Sequence, residues 1–132
     1  MQTRREFVGF VAAAALGCSV EHRKPRLFEA TFDVASLDRD GATIITPMAG
    51  LDGAPILIVR ESDRRFHALS MQCTHEGCPV NPPVRGVITC PCHGSQYDLN
   101  GHVRMGPARL PLARYETRYD QRARTVVVWV DA

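Results

Sequence analysis

The 132-residue sequence has no apolar run long enough to cross a bilayer. Its longest apolar stretch, residues 7–17, is much shorter than the about 20 residues that a transmembrane helix needs. The chain also has no strong charge surplus, because 16 basic residues face 14 acidic ones. This balance argues against a nucleic-acid partner. A sustained 3.6-residue hydrophobic period is missing after residue 17, so a helical domain is not expected.

Short β-rich runs separated by turn dipeptides fill the sequence after residue 26. Asn100-Gly101, for example, lies between two such runs in the manner of a tight hairpin. The pattern predicts an antiparallel all-β domain, and residues 27–132 suffice for one hydrophobic core without a second domain. The predicted strands are residues 30–34, 42–46, 55–60, 65–70, 86–90, 95–99, 102–105, 110–117 and 125–130.

Four of the five cysteines fall in two short motifs that also contain histidine. The motifs are Cys73-Thr74-His75-Glu76-Gly77-Cys78 and Cys90-Pro91-Cys92-His93-Gly94-Ser95-Gln96-Tyr97. Each motif offers one thiolate and one imidazole at close spacing, a donor set that suits transition metals. Each also has a second cysteine that metal binding does not need. A structural zinc module is one interpretation of such Cys/His pairs.

These motifs resemble those of the Rieske iron-sulfur family, and the resemblance covers about residues 69–112. It implies a Rieske-type antiparallel β-sandwich with a cluster-binding loop subdomain, and one [2Fe-2S] cluster per chain. In this family one iron takes two thiolates and the other takes two imidazoles. The resemblance therefore implies that Cys73 and Cys90 bind one iron, and that His75 and His93 bind the other.

The resemblance also gives roles to the remaining residues of the motifs. It implies a disulfide between Cys78 and Cys92, a hydrogen bond from Ser95 to a bridging sulfide, and one from Tyr97 to a ligand cysteine. Such donors favour the reduced state, and they push the centre toward the upper end of the about −150 to +300 mV that Rieske centres span. The Gly-Pro-Ala sequence at residues 106–108 resembles the family's loop that covers the cluster. A zinc site would use none of these features.

The amino terminus resembles an export signal. Arg4 and Arg5, preceded by a hydroxyl residue and followed by the apolar stretch, resemble a twin-arginine signal, which carries folded cargo. The residues before Cys18 resemble a lipobox, which implies acylation of Cys18 and a lipid anchor. We therefore expect a signal segment at residues 1–17, a polar tether at 18–26 and the Rieske domain at 27–132. The expected location is the periplasm or the extracytoplasmic face of a membrane.

The expected function is one-electron transfer, as a high-potential carrier or a subunit of an exported oxidoreductase rather than a stand-alone catalyst. The Rieske small subunit of arsenite oxidase is the nearest model, and a quinol:cytochrome c reductase-like complex is the alternative. Glu76 favours the first, because cytochrome bc proteins have leucine there and a carboxylate is costly to desolvate in a quinol pocket. The expected partners are a large oxidoreductase subunit, a cytochrome c or a quinol-oxidising complex. The chain lacks the length and spare histidines that the mononuclear iron of a Rieske oxygenase requires.

Overall fold

The computed structural model describes residues 23–132, and this part of the chain consists of β-strands and loops. The strands are β1 Arg26–Asp33, β2 Thr43–Ala49, β3 Pro55–Ser62, β4 Arg65–Ser70, β5 Val87–Thr89, β6 Gln96–Asp98, β7 Val103–Met105, β8 Arg114–Asp120 and β9 Thr125–Asp131. All nine predicted strands and the all-β class are confirmed. The ends differ most at β1, which begins at Arg26 instead of residue 30, and at β8, which begins at Arg114 instead of residue 110.

The expected signal segment and Cys18 lie outside the described residues, and the expected tether overlaps them only at residues 23–26. Within residues 23–132 there is no helix of the length and apolarity that a membrane crossing requires.

The strands form two antiparallel sheets. The larger sheet has the order β1-β9-β8-β4-β3-β2, and the smaller has the order β5-β6-β7. The larger sheet has two halves, β1-β9-β8 and β4-β3-β2, and these pair through Ala68↔Tyr115 and Leu69↔Arg114, between β4 and β8. Side chains from both halves, such as Ile58 of β3 and Val128 of β9, nevertheless share one core. The larger sheet therefore folds around its own apolar side chains.

Strands β3 and β4 bury side chains on both of their faces. Because successive side chains of a strand point to opposite faces, Ile56 and Ile58 enter the core inside the larger sheet, whereas Leu57 and Val59 enter a second core. The second core also contains Ile88 of the small sheet. Each buried aliphatic side chain there contributes about 1.5–3 kcal/mol of burial free energy. The small sheet is thus fixed against the outer face of β3 and β4.

The turn between β6 and β7 attaches the small sheet at a second point. Gly101 has a φ of +83°, in the left-handed region that favours glycine, and a Cβ there would lie 3.1 Å from the Leu69 side chain. The Asp98 carboxylate accepts hydrogen bonds from the backbone N–H groups of Asn100 and His102. The Gly101 carbonyl accepts another from the N–H of Leu112. The predicted Asn100-Gly101 hairpin turn is confirmed.

Candidate metal centre

The two Cys/His motifs form two loops with the same backbone hydrogen bonds. In the first loop, the Cys73 N–H donates to the Cys78 carbonyl at 2.8 Å, and the Gly77 N–H donates to the Cys73 carbonyl at 2.9 Å. In the second loop, the Cys90 N–H donates to the Ser95 carbonyl at 2.8 Å, and the Gly94 N–H donates to the Cys90 carbonyl at 3.0 Å. Each loop therefore closes on the cysteine at its base.

A glycine with a left-handed backbone is needed at the same place in both loops. Gly77 has a φ of +78° and Gly94 a φ of +77°, and each lies four residues after the cysteine at the base of its loop. Other residues are strained in this conformation, because their Cβ would approach the carbonyl oxygen. The glycines let each loop turn tightly enough to present a histidine at its tip.

The structure brings the candidate ligands together with the sulfurs inside and the imidazoles outside. Cys73 and Cys90 are buried in the second core. His75 and His93 are exposed at the loop tips, with ring centroids 4.9 Å apart and ring planes perpendicular. The protein thus offers two soft and two borderline donors at one end of the small sheet, as two unlike iron atoms require.

A disulfide joins the two loops. Cys78 of the first loop and Cys92 of the second, the pair that the resemblance implies, are bonded to each other, while Cys73 and Cys90 are free thiols. The sequence separation of the bonded pair is 14 residues. Because the bond links the loops directly, it limits their separation independently of any bound metal.

The two free thiols differ in acidity. Burial raises the pKa of Cys73, but hydrogen bonds from the Tyr97 hydroxyl and from the backbone of His75 and Glu76 outweigh burial, and the net pKa is lowered. The pKa of Cys90 is raised, by burial first and also by the neighbouring charge of Cys73. Without a cation, the pair therefore carries one negative charge more readily than two. Two adjacent thiolates need the positive charge of a bound metal to balance their negative charge. The two thiols and two imidazoles are donors that fit such a metal.

Ser95 gives a separate reason to expect an acceptor at this centre. Its side chain is fully buried, and its Oγ accepts a hydrogen bond from the Ala108 N–H at 2.9 Å. Among residues 23–132, the hydrogen bonds of Ser95 include no acceptor for its own hydroxyl hydrogen. A buried hydroxyl without an acceptor is costly. A bridging sulfide would accept this hydrogen, whereas a zinc ion would not.

The loop at residues 106–108 lies beside the second motif loop, because its Ala108 is buried and bonded to Ser95. Pro107 is exposed.

Glu76 is exposed at the tip of the first loop, where its Oε2 lies 3.8 Å from His93 Nδ1. The distance is too long for a direct hydrogen bond, but the carboxylate is part of the surface that surrounds the histidines.

Thr74 is the residue that the sequence analysis missed. It contacts both Tyr97 and Leu110, and no role was given to it. Its place between Cys73 and His75, the two candidate ligands of the first loop, was the available signal.

Comparison with known proteins agrees with this geometry. Residues 34–116 match the family model described as "Rieske [2Fe-2S] domain". The chain belongs to this family, whose members bind a [2Fe-2S] cluster.

The chain is similar to the cytochrome b6-f complex iron-sulfur subunit of Prochlorococcus marinus (strain MIT 9515), with 44% identity over 84 residues, or 61% of this chain and 47% of that protein. It is also 40% identical over 85 residues to the chloroplastic cytochrome b6-f complex iron-sulfur subunit of Triticum aestivum, covering 62% of this chain and 38% of that protein. The chain thus spans less than half the length of these relatives.

A solved structure that resembles this fold is the plasma membrane Rieske protein PetC3 from the cyanobacterium Synechocystis PCC 6803. The TM-score is 0.51 and the identity 31%, covering 65% of this chain and 82% of that one. PetC3 and the cytochrome b6-f subunits named above share the Rieske domain with the chain, but the likeness does not extend over the whole length of any of them.

Proposed function

We propose that this protein is a one-electron transfer protein that serves a membrane oxidoreductase complex. The observation that carries the proposal is that two disulfide-linked loops bring together two buried thiols at their bases and two exposed imidazoles at their tips. When bound, a Rieske cluster supplies a reversible one-electron couple at about −150 to +300 mV. In this proposal Cys73 and Cys90 hold one iron and His75 and His93 hold the other.

The placement of the ligands supports electron transfer rather than catalysis within the chain. The imidazoles are the exposed members of the donor set, so a partner that docks on the loop tips comes closest to the centre. The thiols lie in the second core and are shielded from water and oxidants. Because the backbone bonds and the disulfide fix both loops, the ligand positions are determined by the protein itself.

A pair of histidine variants tests the assignment of ligands. His93→Ala removes a proposed ligand, whereas His102→Ala removes an exposed imidazole that lies 3.5 Å from the Asp98 carboxylate. Iron and acid-labile sulfide are measured after anaerobic purification, with two of each expected per chain of wild type. We expect His93→Ala to lose both and His102→Ala to keep both. Stoichiometric zinc without sulfide in the wild-type protein would contradict the proposal.

Two kinds of complex are candidates for the partner. The relatives named above are subunits of the cytochrome b6-f complex, which supports a quinol-oxidising complex. Glu76 favours a different oxidoreductase, because its carboxylate is exposed beside the ligand histidines and would lose its hydration in an apolar quinol pocket. Copurification from native membranes tests the choice. A cytochrome b subunit recovered with the protein supports the first candidate, and a large subunit of another oxidoreductase supports the second.

The amino-terminal residues belong to the same proposal. We propose that residues 1–17 form a twin-arginine export signal, that Cys18 is acylated, and that residues 18–26 tether the domain to the outer face of a membrane. Arg4-Arg5 and the residues before Cys18 support this reading. Fractionation of cells that produce Cys18→Ser tests it: the variant is expected in the soluble fraction, whereas the wild type is expected in the membrane fraction. Equal distribution of the two proteins would contradict lipidation.

A further inference from the structure

Thr74 connects three segments of the metal centre through short polar contacts. Its Oγ1 lies 2.6 Å from the carbonyl oxygen of Leu110, in the segment that follows the loop at residues 106–108. The same Oγ1 lies 3.1 Å from the hydroxyl oxygen of Tyr97. The backbone N–H of Thr74 donates to that phenol oxygen at 3.2 Å. Thr74 itself stands between the proposed ligands Cys73 and His75.

The direction of these hydrogen bonds follows from which groups have hydrogens to give. A carbonyl oxygen only accepts, so the single hydroxyl hydrogen of Thr74 is used on Leu110. Thr74 Oγ1 can then only accept from Tyr97. The phenol has one hydrogen and two acceptors within reach, Cys73 Sγ at 3.2 Å and Thr74 Oγ1 at 3.1 Å. Tyr97 itself is fully buried.

We propose that Thr74 is a positioning residue that competes with Cys73 for the hydroxyl hydrogen of Tyr97, and that it thereby holds the midpoint potential of the centre below the value that Tyr97 would otherwise set. The inference rests on the proposed function, since it requires Cys73 to be a cluster ligand. A hydrogen bond to the ligand sulfur favours the more electron-rich, reduced state. A hydrogen that is shared with Thr74 gives less of this stabilisation.

A second role for Thr74 is purely structural. Through Leu110 it ties the first motif loop to the segment that follows residues 106–108, and loss of this tie would open the centre to water. The two roles predict different results. Removal of a competing acceptor raises the potential only when Tyr97 has a hydroxyl group, whereas a loosened loop acts whether or not the hydroxyl is present.

The experiment is a double-variant cycle on the cluster-loaded protein. Thr74→Val removes the competing oxygen and keeps the branched shape, and Thr74→Ser keeps the oxygen as a matched control. Each change is made with Tyr97 and with Tyr97→Phe, and midpoint potentials are measured by redox titration. The contact with Leu110 is solvent-exposed, so water can replace the lost donor. Iron and acid-labile sulfide are measured for every variant.

We expect Thr74→Val to shift the reduction equilibrium three- to tenfold toward the reduced state, or about 28–59 mV upward at 59 mV per tenfold. Thr74→Ser is expected to match the wild type, and Thr74→Val is expected to change nothing when Tyr97→Phe is present. An unchanged or lowered potential in Thr74→Val overturns the inference, as does an equal shift in both backgrounds.

Thr74→Ala serves as a second variant without the oxygen. Loss of cluster iron from both Thr74→Val and Thr74→Ala would also overturn the inference, because it would assign Thr74 to cluster retention. These failures leave the proposed function in place. A wild-type protein without iron and sulfide would instead remove the proposed function, whatever the Thr74 variants show.

Discussion

The most direct test of the fold is Gly50→Ala, which adds one methyl group where the backbone meets a buried ring. Gly50 follows β2, and a Cβ there would lie 2.0 Å from the Tyr115 hydroxyl oxygen and 2.8 Å from its Cζ. It would also lie 3.1 Å from Cγ1 of the buried Ile56. Tyr115 must therefore move. Its ring packs against Phe28 with centroids 5.7 Å apart, and this pairing is disturbed when it moves.

The expected cost combines two terms. Overpacking a filled core costs about 1–3 kcal/mol, and loss of a favourable aromatic pair costs about 0.5–1.5 kcal/mol. We expect Gly50→Ala to lower the free energy of unfolding by about 2–4 kcal/mol, a large part of the about 5–15 kcal/mol that domains have. Urea unfolding of the cluster-loaded protein measures this loss, and an unchanged m-value shows that the comparison is valid.

Two further variants separate the collision from other effects of the new methyl group. Gly53→Ala, in the same turn, meets no atom within 4 Å but has a φ of +83°, so it reports the backbone strain of an alanine, about 1–2 kcal/mol. Tyr115→Phe removes the nearest atom, the phenol oxygen. In a protein that carries Tyr115→Phe, Gly50→Ala should therefore cost less than it does in the wild type. A loss below about 0.5 kcal/mol for Gly50→Ala, within the range of neutral surface changes, would refute the proposed collision. Strict additivity with Tyr115→Phe would refute the role of the phenol oxygen.

Three other changes test separate parts of the structure. Thr46→Val leaves the buried Ile56 N–H without the Oγ1 that accepts its hydrogen bond at 3.0 Å, and should cost about 1–3 kcal/mol in urea unfolding; an unchanged midpoint would contradict this. Cys78→Ser with Cys92→Ser opens a loop of separation 14 and should lower the unfolding free energy by about 3 kcal/mol, whereas a loss below ~1 kcal/mol would count against a role in stability. Ser95→Ala should lower the midpoint potential by about 40 mV for each ~1 kcal/mol by which its hydrogen bond strengthens on reduction, and redox titration showing a rise would reject the donor role.

The strands were predictable because their signals are local. β-rich runs and turn dipeptides depend on neighbours in sequence, and all nine predicted strands are present. The ends were less predictable. β1 extends back to Arg26, which pairs with Asp131 of β9, and this partner lies at the other end of the chain. β8 begins only at Arg114, because the segment before it is bonded elsewhere. The Leu112 N–H donates to the Gly101 carbonyl in the turn of the small sheet, and the Leu110 carbonyl accepts from Thr74 of the first loop.

The closeness of the candidate ligands within each loop was also predictable, since each motif contains its cysteine and histidine within a few residues; that they bind iron stays a prediction. The contacts of Thr74 were not. Its hydroxyl group binds a carbonyl 36 residues away and faces a phenol 23 residues away. The approach of Gly50 to Tyr115 is of the same kind. Such contacts depend on how strands that are distant in sequence pack together, and no local pattern encodes them.

The buried and the exposed residues of the metal centre have different roles because of where they lie in the fold. The larger sheet and the core shared by β3, β4 and the small sheet fix the bases of both loops, where the buried thiols lie. The tips carry the histidines and Glu76, and they are exposed. A change at Glu76, which is not a proposed ligand, can therefore alter the docking surface with little effect on stability, because surface substitutions usually cost within ±0.5 kcal/mol. Changes at Tyr97 or Ser95 act on the centre from inside the fold. Under the proposed function, partner choice and redox potential thus depend on different residues, and we expect a change of partner to leave the potential in place.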